Sequence, residues 1–206
     1  MAATFPDSSG KIEVIPNGVD GEFQEKHPWR QPAEPRILYA GRLEKYKNVD
    51  KILRAVAQLQ RTHEDLKTTI VGRGPFKAEL LQLAASLKVN GGVEWLEGLS
   101  RDALFALYAS ATAVIVPSES ESMGVAAAEA IGVGAPTIVA DASGLAEFVD
   151  EGLAQPIEPP VNYAKLAAKI EEVLDDPKRF SPVGMKSPLI KTWEEVAEQT
   201  YSACAS

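Results

Sequence analysis

The sequence predicts an α/β domain, a Rossmann-like parallel sheet with helices on both faces. Three observations carry this. Short apolar runs such as Arg36-Ile-Leu-Tyr-Ala40 and Ala113-Val-Ile-Val116 recur along the chain, bounded by Gly, Pro or Ser, as buried strands are. Segments with apolar residues at i, i+3, i+4 and i+7 lie between them and read as amphipathic helices. Strands alternating with helices place those helices over both faces of a parallel sheet.

Composition narrows the classes. At 206 residues the chain is long enough for one substantial domain with a full core. A net charge of −8 argues against nucleic acid or anionic lipid as a partner through the global field. The single cysteine, Cys204, allows no intrachain disulfide, which fits a reducing compartment. No apolar run reaches the length of a membrane span. Met1 to Gly10 has neither the basic start nor the apolar core of a secretory signal. A cytoplasmic location is the expectation. His27 and His63 are isolated, so no metal site is expected.

The elements follow in order. Ile12 to Ile15 is a short strand candidate, and Pro16-Asn-Gly-Val-Asp20 has the chemistry of a turn. Gly21 to Pro35 carries Pro28, Pro32 and Pro35, a linker-like composition. Arg36 to Ala40 is a buried strand. The loop Gly41 to Asn48 leads to a helix with Val49, Ile52, Leu53, Val56 and Leu59 on one face, capped by Asn48 or Asp50. A strand, a glycine, a basic loop and a helix make a reasonable anion cradle, with Arg42 as a planar fork and Lys47 as a point charge. On residue types alone, ordinary surface cations are an equally open reading.

Leu66 to Val71 is the second strand. Gly72-Arg-Gly-Pro75 turns it into a helix carrying Phe76, Leu80, Leu83, Ala84 and Leu87. The dinucleotide fingerprint fails here, because Lys77 stands where its third glycine belongs. Val93 to Leu96 is a strand, and Ser100 with Asp102 opens a helix with Leu104, Leu107, Tyr108 and Ala111. Further strands are Ala113 to Val116, Pro136 to Val139 and Gln155 to Ile157. Asn162 caps a helix with Leu166, Ala167, Ile170, Val173 and Leu174. A proline-bearing loop over 175–188 precedes a last helix striped by Trp193, Val196, Ala197 and Tyr201.

The loop after the fourth of these strands is the chemical centre. A strand-to-helix loop is where a parallel sheet binds ligands, and a helix start offers free amides and partial positive charge. Glu121 and Glu129 are eight apart. With a helix starting near Gly124, residues 121, 125 and 129 share roughly one face. Carboxylates accept hydrogen bonds from hydroxyl pairs, as on a sugar or a ribose. On spacing alone, a solvated acidic loop and an exposed helix glutamate is the commoner arrangement.

Several motifs together point further. They are Pro117-Ser118, Glu121 with Glu129, Gly132-x-Gly134-x-Pro136, Gly41-Arg42-Leu43 with Lys47, Gly72-x-Gly74-Pro75, and Ile15-Pro-Asn-Gly-Val-Asp20. Over about residues 12–205 the chain resembles the donor-binding half of retaining GT-B glycosyltransferases, in the large glycosyl transferases group 1 family of sucrose synthases and mannosyltransferases. One departure is Asn48, where the family usually has glycine.

The resemblance implies retaining glycosyl transfer from a nucleotide-diphosphate sugar. It assigns the leaving diphosphate to Arg42 and Lys47, the donor sugar to Glu121 with the amides of Ser122, Met123 and Gly124, and the ribose hydroxyls to Glu129. It places Gly41, Gly72 and Gly74 near the donor and the backbone at Gly98 against the nucleobase, with Ser143 or Gly144 as phosphate donors. It implies no metal and no cofactor. It divides the chain into a tail and interdomain-type linker (1–35), a nucleotide-sugar-binding domain (36–180) and a returning C-terminal helix (181–206). The family's acceptor half has no counterpart here, so a separate acceptor-binding domain or subunit is the expected partner, and the chain alone is expected to be an incomplete enzyme. The alternative is a non-catalytic nucleotide-sugar-binding or interaction module. A sugar-nucleotide epimerase and a nicotinamide-binding domain rank behind both.

Overall fold

A computed structural model of the chain describes residues 12–205. Its strands are β1 (Gly18–Val19), β2 (Arg36–Ala40), β3 (Lys67–Val71), β4 (Val93–Leu96), β5 (Ala113–Val116), β6 (Thr137–Ala140), β7 (Gln155–Ile157) and β8 (Lys191–Thr192). Six of them form one wholly parallel sheet in the order β4-β3-β2-β5-β6-β7, and β1 pairs with β8 in a separate parallel ribbon. The predicted α/β class and Rossmann-like sheet are what the structure contains.

The chain starts at the middle of the sheet, runs outward through β3 and β4, then returns to place β5 on the other side of β2. Ile37 there faces Ala113, and Leu38 faces Val114. The order in which strands are added thus reverses between β2 and β5, and the loops leaving these two parallel strands splay apart. Ligands of open parallel sheets bind in such a crevice, beyond the carboxyl ends of the strands.

Both faces of the sheet are covered, which explains why the central strands are apolar without alternation. Ile37, Leu38, Val114, Ile115, Ile138 and Val139 expose no surface. Each such burial contributes about 1.5–3 kcal/mol before entropy is counted. On one face α2 (Val49–Leu59) turns Val49, Ile52, Leu53, Val56 and Leu59 inward and packs against α3 (Lys77–Ser86) and α7 (Tyr163–Asp175). The right-handed crossovers put α4 (Arg101–Ala109) and α5 (Val125–Gly132) on the other face, packed together and against α1 (Gly21–Lys26). The short α6 (Ala146–Asp150) lies beside β6 and β7. No helix among the described residues is long and apolar enough to cross a membrane.

Three local expectations need correction. Ile12 to Ile15 is not a strand; the pairing segment is Gly18–Val19, inside the stretch read as a turn. Gly18 permits this, because a side chain there would sit 2.7 Å from the ring of Trp193, at the start of α8 (Trp193–Ala205). The linker-like segment contains the helix α1. Neither Asn48 nor Asp50 caps α2 with its side chain. Ser100 does cap α4 by accepting from the Ala103 amide, and Asn162 caps α7 by accepting from Ala164 and Lys165. The stripe of α8 is largely open, with Trp193 half exposed and Tyr201 exposed.

Candidate functional site

Two adjoining cavities open at the carboxyl ends of β2 and β5. The larger, about 640 Å³, is lined by Gly41, Arg42, Gly72, Gly98, Arg101, Tyr108 and Glu129, among others. The smaller, about 210 Å³, is lined by Lys47, Ser118, Glu121, Ser122 and Gly124 among others. Ala40, Gly41, Val125 and Ala126 belong to both walls, so the two form one bent cleft with Gly41 and the first turn of α5 at its waist.

The loop after β2 is fixed from below. The Tyr39 hydroxyl donates to the Arg42 carbonyl at 2.8 Å. Burial, then the nearby Glu121 charge and Tyr46, hold this phenol far above its ordinary ionisation range. The Arg42 guanidinium is mostly exposed and pairs with Glu44 at 2.7 Å. Lys47 is nearly buried and meets Glu121 at 2.5 Å. Asn48 adopts the left-handed conformation (φ 56°), which explains how it stands in for glycine. Its side-chain amide donates to the Pro117 carbonyl at 3.0 Å and to Glu119 at 3.3 Å. Glu119 also accepts from the Val161 amide at 2.8 Å, so this neighbour of Glu121 anchors loops.

The loop after β5 is pinned as firmly. The Glu121 amide donates to the Ser143 hydroxyl at 2.9 Å, and the Gly144 amide donates to the Glu121 carbonyl at 3.0 Å. Ser143 and Gly144, expected as phosphate donors, therefore shape the Glu121 loop. Among the described residues no intramolecular acceptor engages the amides of Ser122, Met123 or Gly124. These amides precede α5, whose N-terminus favours negative charge.

Glu129 departs furthest from its ordinary reading as an exposed helix glutamate, being 3% exposed. One carboxylate oxygen accepts from Arg101 at 2.7 Å and the other from the Tyr108 hydroxyl at 3.1 Å. Burial first, then the Glu129 charge, push the Tyr108 phenol well above its ordinary range, so it stays a donor. Val125 lines the same cavity one helical turn before Glu129, as the spacing implied.

Gly72 lines the larger cavity, but its main constraint is contact: a side chain there would meet the Gly41 carbonyl oxygen at 1.8 Å. Gly74 would likewise meet the Leu43 carbonyl oxygen at 2.3 Å and lines neither cavity. Met123 lines neither; its sulfur accepts from the Asn17 amide at 3.2 Å. The expected site residues thus divide. Gly41, Arg42, Gly72, Gly98 and Glu129 face one cavity, and Gly41, Lys47, Glu121, Ser122 and Gly124 face the other.

Sequence reasoning missed Arg101 as a site residue and read Tyr108 as core. Nothing in the spacing of α4 says that its first turn lies over α5. A cation at the first position of a helix, where the dipole disfavours it, is the one available hint.

Residues 21–185 match the family described as glycosyl transferases group 1. A glycogen synthase of Mycobacterium tuberculosis is 35% identical over 176 residues, covering 84% of this chain and 42% of that protein. A D-inositol 3-phosphate glycosyltransferase of Nocardioides is 31% identical over 218 residues, covering 92% and 47%. The chain spans about half the length of such relatives. Among solved structures, sucrose-phosphate synthase from Thermosynechococcus elongatus superposes with a TM-score of 0.77 at 24% identity, over 94% of this chain and 52% of that one. HepE of Anabaena, in complex with UDP and glucose, gives 0.76 at 20%, over 94% and 56%. Sequence and architecture agree, and the chain belongs to the glycosyl transferases group 1 family of GT-B glycosyltransferases.

Proposed function

We infer that this chain binds the nucleotide-diphosphate sugar of a retaining glycosyltransferase. The observation that carries this is the bent cleft, with the buried Glu129 carboxylate in one arm, the half-buried Glu121 carboxylate in the other, and a cation beside its waist on either side. In this reading the larger cavity takes the nucleoside, with Glu129 accepting from the ribose hydroxyls and the Gly98 backbone beside the base. The diphosphate crosses Gly41 between Arg42 and Lys47. The smaller cavity takes the sugar, held by Glu121 and the amides of Ser122 and Gly124, while Met123 stands outside it. That HepE was solved with UDP and glucose supports the nucleotide-sugar class.

Transfer breaks the bond between the anomeric carbon and the diphosphate oxygen, and negative charge grows on that oxygen. Arg42 and Lys47 stabilise it more in the transition state than in the ground state. Glu121 holds Lys47 in place before donor arrives, and the diphosphate then competes for the same ammonium. Two cations suffice for this role, and we assign no metal to it. The acceptor is assigned to a further domain or subunit, because attack requires both reactants in one geometry.

The test is a calorimetric titration of the chain with UDP, GDP and ADP and their sugar conjugates, up to several millimolar, repeated on Arg42→Ala and Glu129→Ala. Saturable binding of one base series, lost in both variants, supports the reading. Binding unchanged in both variants overturns it.

A further inference from the structure

Arg101 is the first residue of α4 and stands in the wall of the larger cavity. Its guanidinium joins two carboxylates from distant parts of the chain. Nη1 donates to Glu129 at 2.7 Å, while Nε donates to Asp20 at 2.7 Å and Nη2 donates to the same oxygen. The plane lies over the Phe105 ring at 5.2 Å. Its orientation is therefore fixed by two ion pairs and a ring contact.

Glu129 depends on this arrangement. A carboxylate with so little exposure carries a large desolvation cost for its charge unless a cation lies against it. Arg101 is the cation that touches it, and Tyr108 is the neutral donor. An ionised carboxylate offers about four lone-pair positions. These two partners take two, one on each oxygen, so each oxygen keeps an acceptor position. Two spare acceptors on adjacent oxygens match a vicinal pair of hydroxyls.

We propose that Arg101 is a positioning residue: it holds the Glu129 carboxylate oriented to accept a vicinal diol, and ties it to Asp20 in the segment that enters the domain. This rests on the reading of the larger cavity as the nucleoside site. The effect of Arg101 acts through the ribose hydroxyls, and the diphosphate lies with Arg42 and Lys47. Removing Arg101 therefore weakens ligands that carry the diol and spares ligands that lack it.

The experiment titrates the 206-residue chain with UDP, GDP and ADP, then with the 2′,3′-dideoxy form of whichever binds. The wild type is expected to prefer the ribose form by about tenfold or more, from two hydrogen bonds to a charged acceptor. Arg101→Ala is expected to lose about tenfold for the ribose form, with no change for the dideoxy form. Arg101→Lys keeps a charge but cannot span both carboxylates, so it recovers part of the preference and serves if the alanine variant fails to fold. In Glu129→Gln the further change Arg101→Ala should add nothing. A wild type that binds no nucleoside diphosphate overturns the donor-site reading itself. Binding without ribose preference overturns the role of Glu129 as the diol acceptor, and this inference with it. A wild-type preference that Arg101→Ala and Arg101→Lys both retain, or an equal loss for both ligand forms, overturns the role of Arg101 alone.

Discussion

Lys47 and Glu121 meet at 2.5 Å across the reversal point of the sheet, each almost withdrawn from solvent, and so clasp the loop after β2 to the loop after β5. Both side chains line the smaller cavity, and in the proposed reading the ammonium meets the diphosphate while the carboxylate meets the donor sugar.

Exchange of either partner should have distinct effects. Lys47→Met is expected to weaken a nucleoside diphosphate about tenfold or more and leave the parent nucleoside unchanged, because the proposed reading puts the ammonium on the phosphate. It also leaves Glu121 without its cation, at a cost of about 1–3 kcal/mol in stability. Glu121→Gln should keep nucleoside diphosphate affinity within a factor of about three and lose the extra affinity of the sugar conjugate. Calorimetry with the nucleoside, its diphosphate and the nucleotide sugar reads all three. Equal loss for nucleoside and diphosphate in Lys47→Met would remove the phosphate role.

Gly72 has a backbone φ of 152°, and a Cβ added there would meet the Gly41 carbonyl oxygen at 1.8 Å. Gly72→Ala should therefore push the two loops apart, with a stability loss of about 3 kcal/mol or more, from strain and overpacking together. Urea denaturation followed by circular dichroism measures it. A loss under about 1 kcal/mol would show that the loops yield easily, and that the cleft waist is softer than its contacts indicate.

The fold was legible because its signals are local. Apolar runs, glycine turns and helix periodicity each occupy a few consecutive residues, and Ile37, Val114 and Ile138 are buried as their runs implied. The spacing of Glu121 and Glu129 was equally readable, since both belong to one loop and helix. The environment of each was not. The ion-pair partner of Glu121 is 74 residues away, and the partners of Glu129 are 28 and 21 away on another helix. Side-chain pairing across elements leaves no periodic trace. The same reason hid the work of Ser143 and Gly144, whose partner is the Glu121 backbone. Gly18–Val19 escaped because turn-forming residues can pair when a neighbour, here the start of α8, covers them.

Tyr39 and Tyr108 give a prediction in pH. Burial and nearby glutamates raise both phenols above the ordinary value near 10. The sign follows from the protonated form being favoured in the folded chain. Their contribution is complete below about pH 10 and is lost as pH rises above it, since the unfolded chain releases the protons first. Absorbance at 295 nm from these two phenols is expected to emerge together with loss of the far-ultraviolet signal. Tyr39→Phe and Tyr108→Phe identify their shares of the change. Phenolate from either residue below pH 10 in a folded sample would count against its burial. Tyr39→Phe also leaves the Arg42 carbonyl without its donor, at a cost of about 1 kcal/mol.

Asn48 offers the most specific test of how the basic loop is held. Its left-handed backbone would suit glycine, but its side chain adds two hydrogen bonds that glycine cannot make, to Pro117 and Glu119 beyond β5. The two contributions come apart in two variants. Asn48→Gly keeps the backbone at ease and loses the side-chain bonds, for an expected loss of about 1 kcal/mol. Asn48→Ala loses the same bonds and adds the left-handed penalty, for about 2–3 kcal/mol in all. If the side chain also holds Lys47 at its station, both variants weaken nucleoside diphosphate binding alike, because both cut the tie to the β5 loop. If only the backbone shape matters, Asn48→Gly binds as the wild type does and Asn48→Ala alone is impaired. Paired denaturation and titration of the two variants distinguish these outcomes, and the geometry of the amide, 3.0 Å from the Pro117 carbonyl, favours the first.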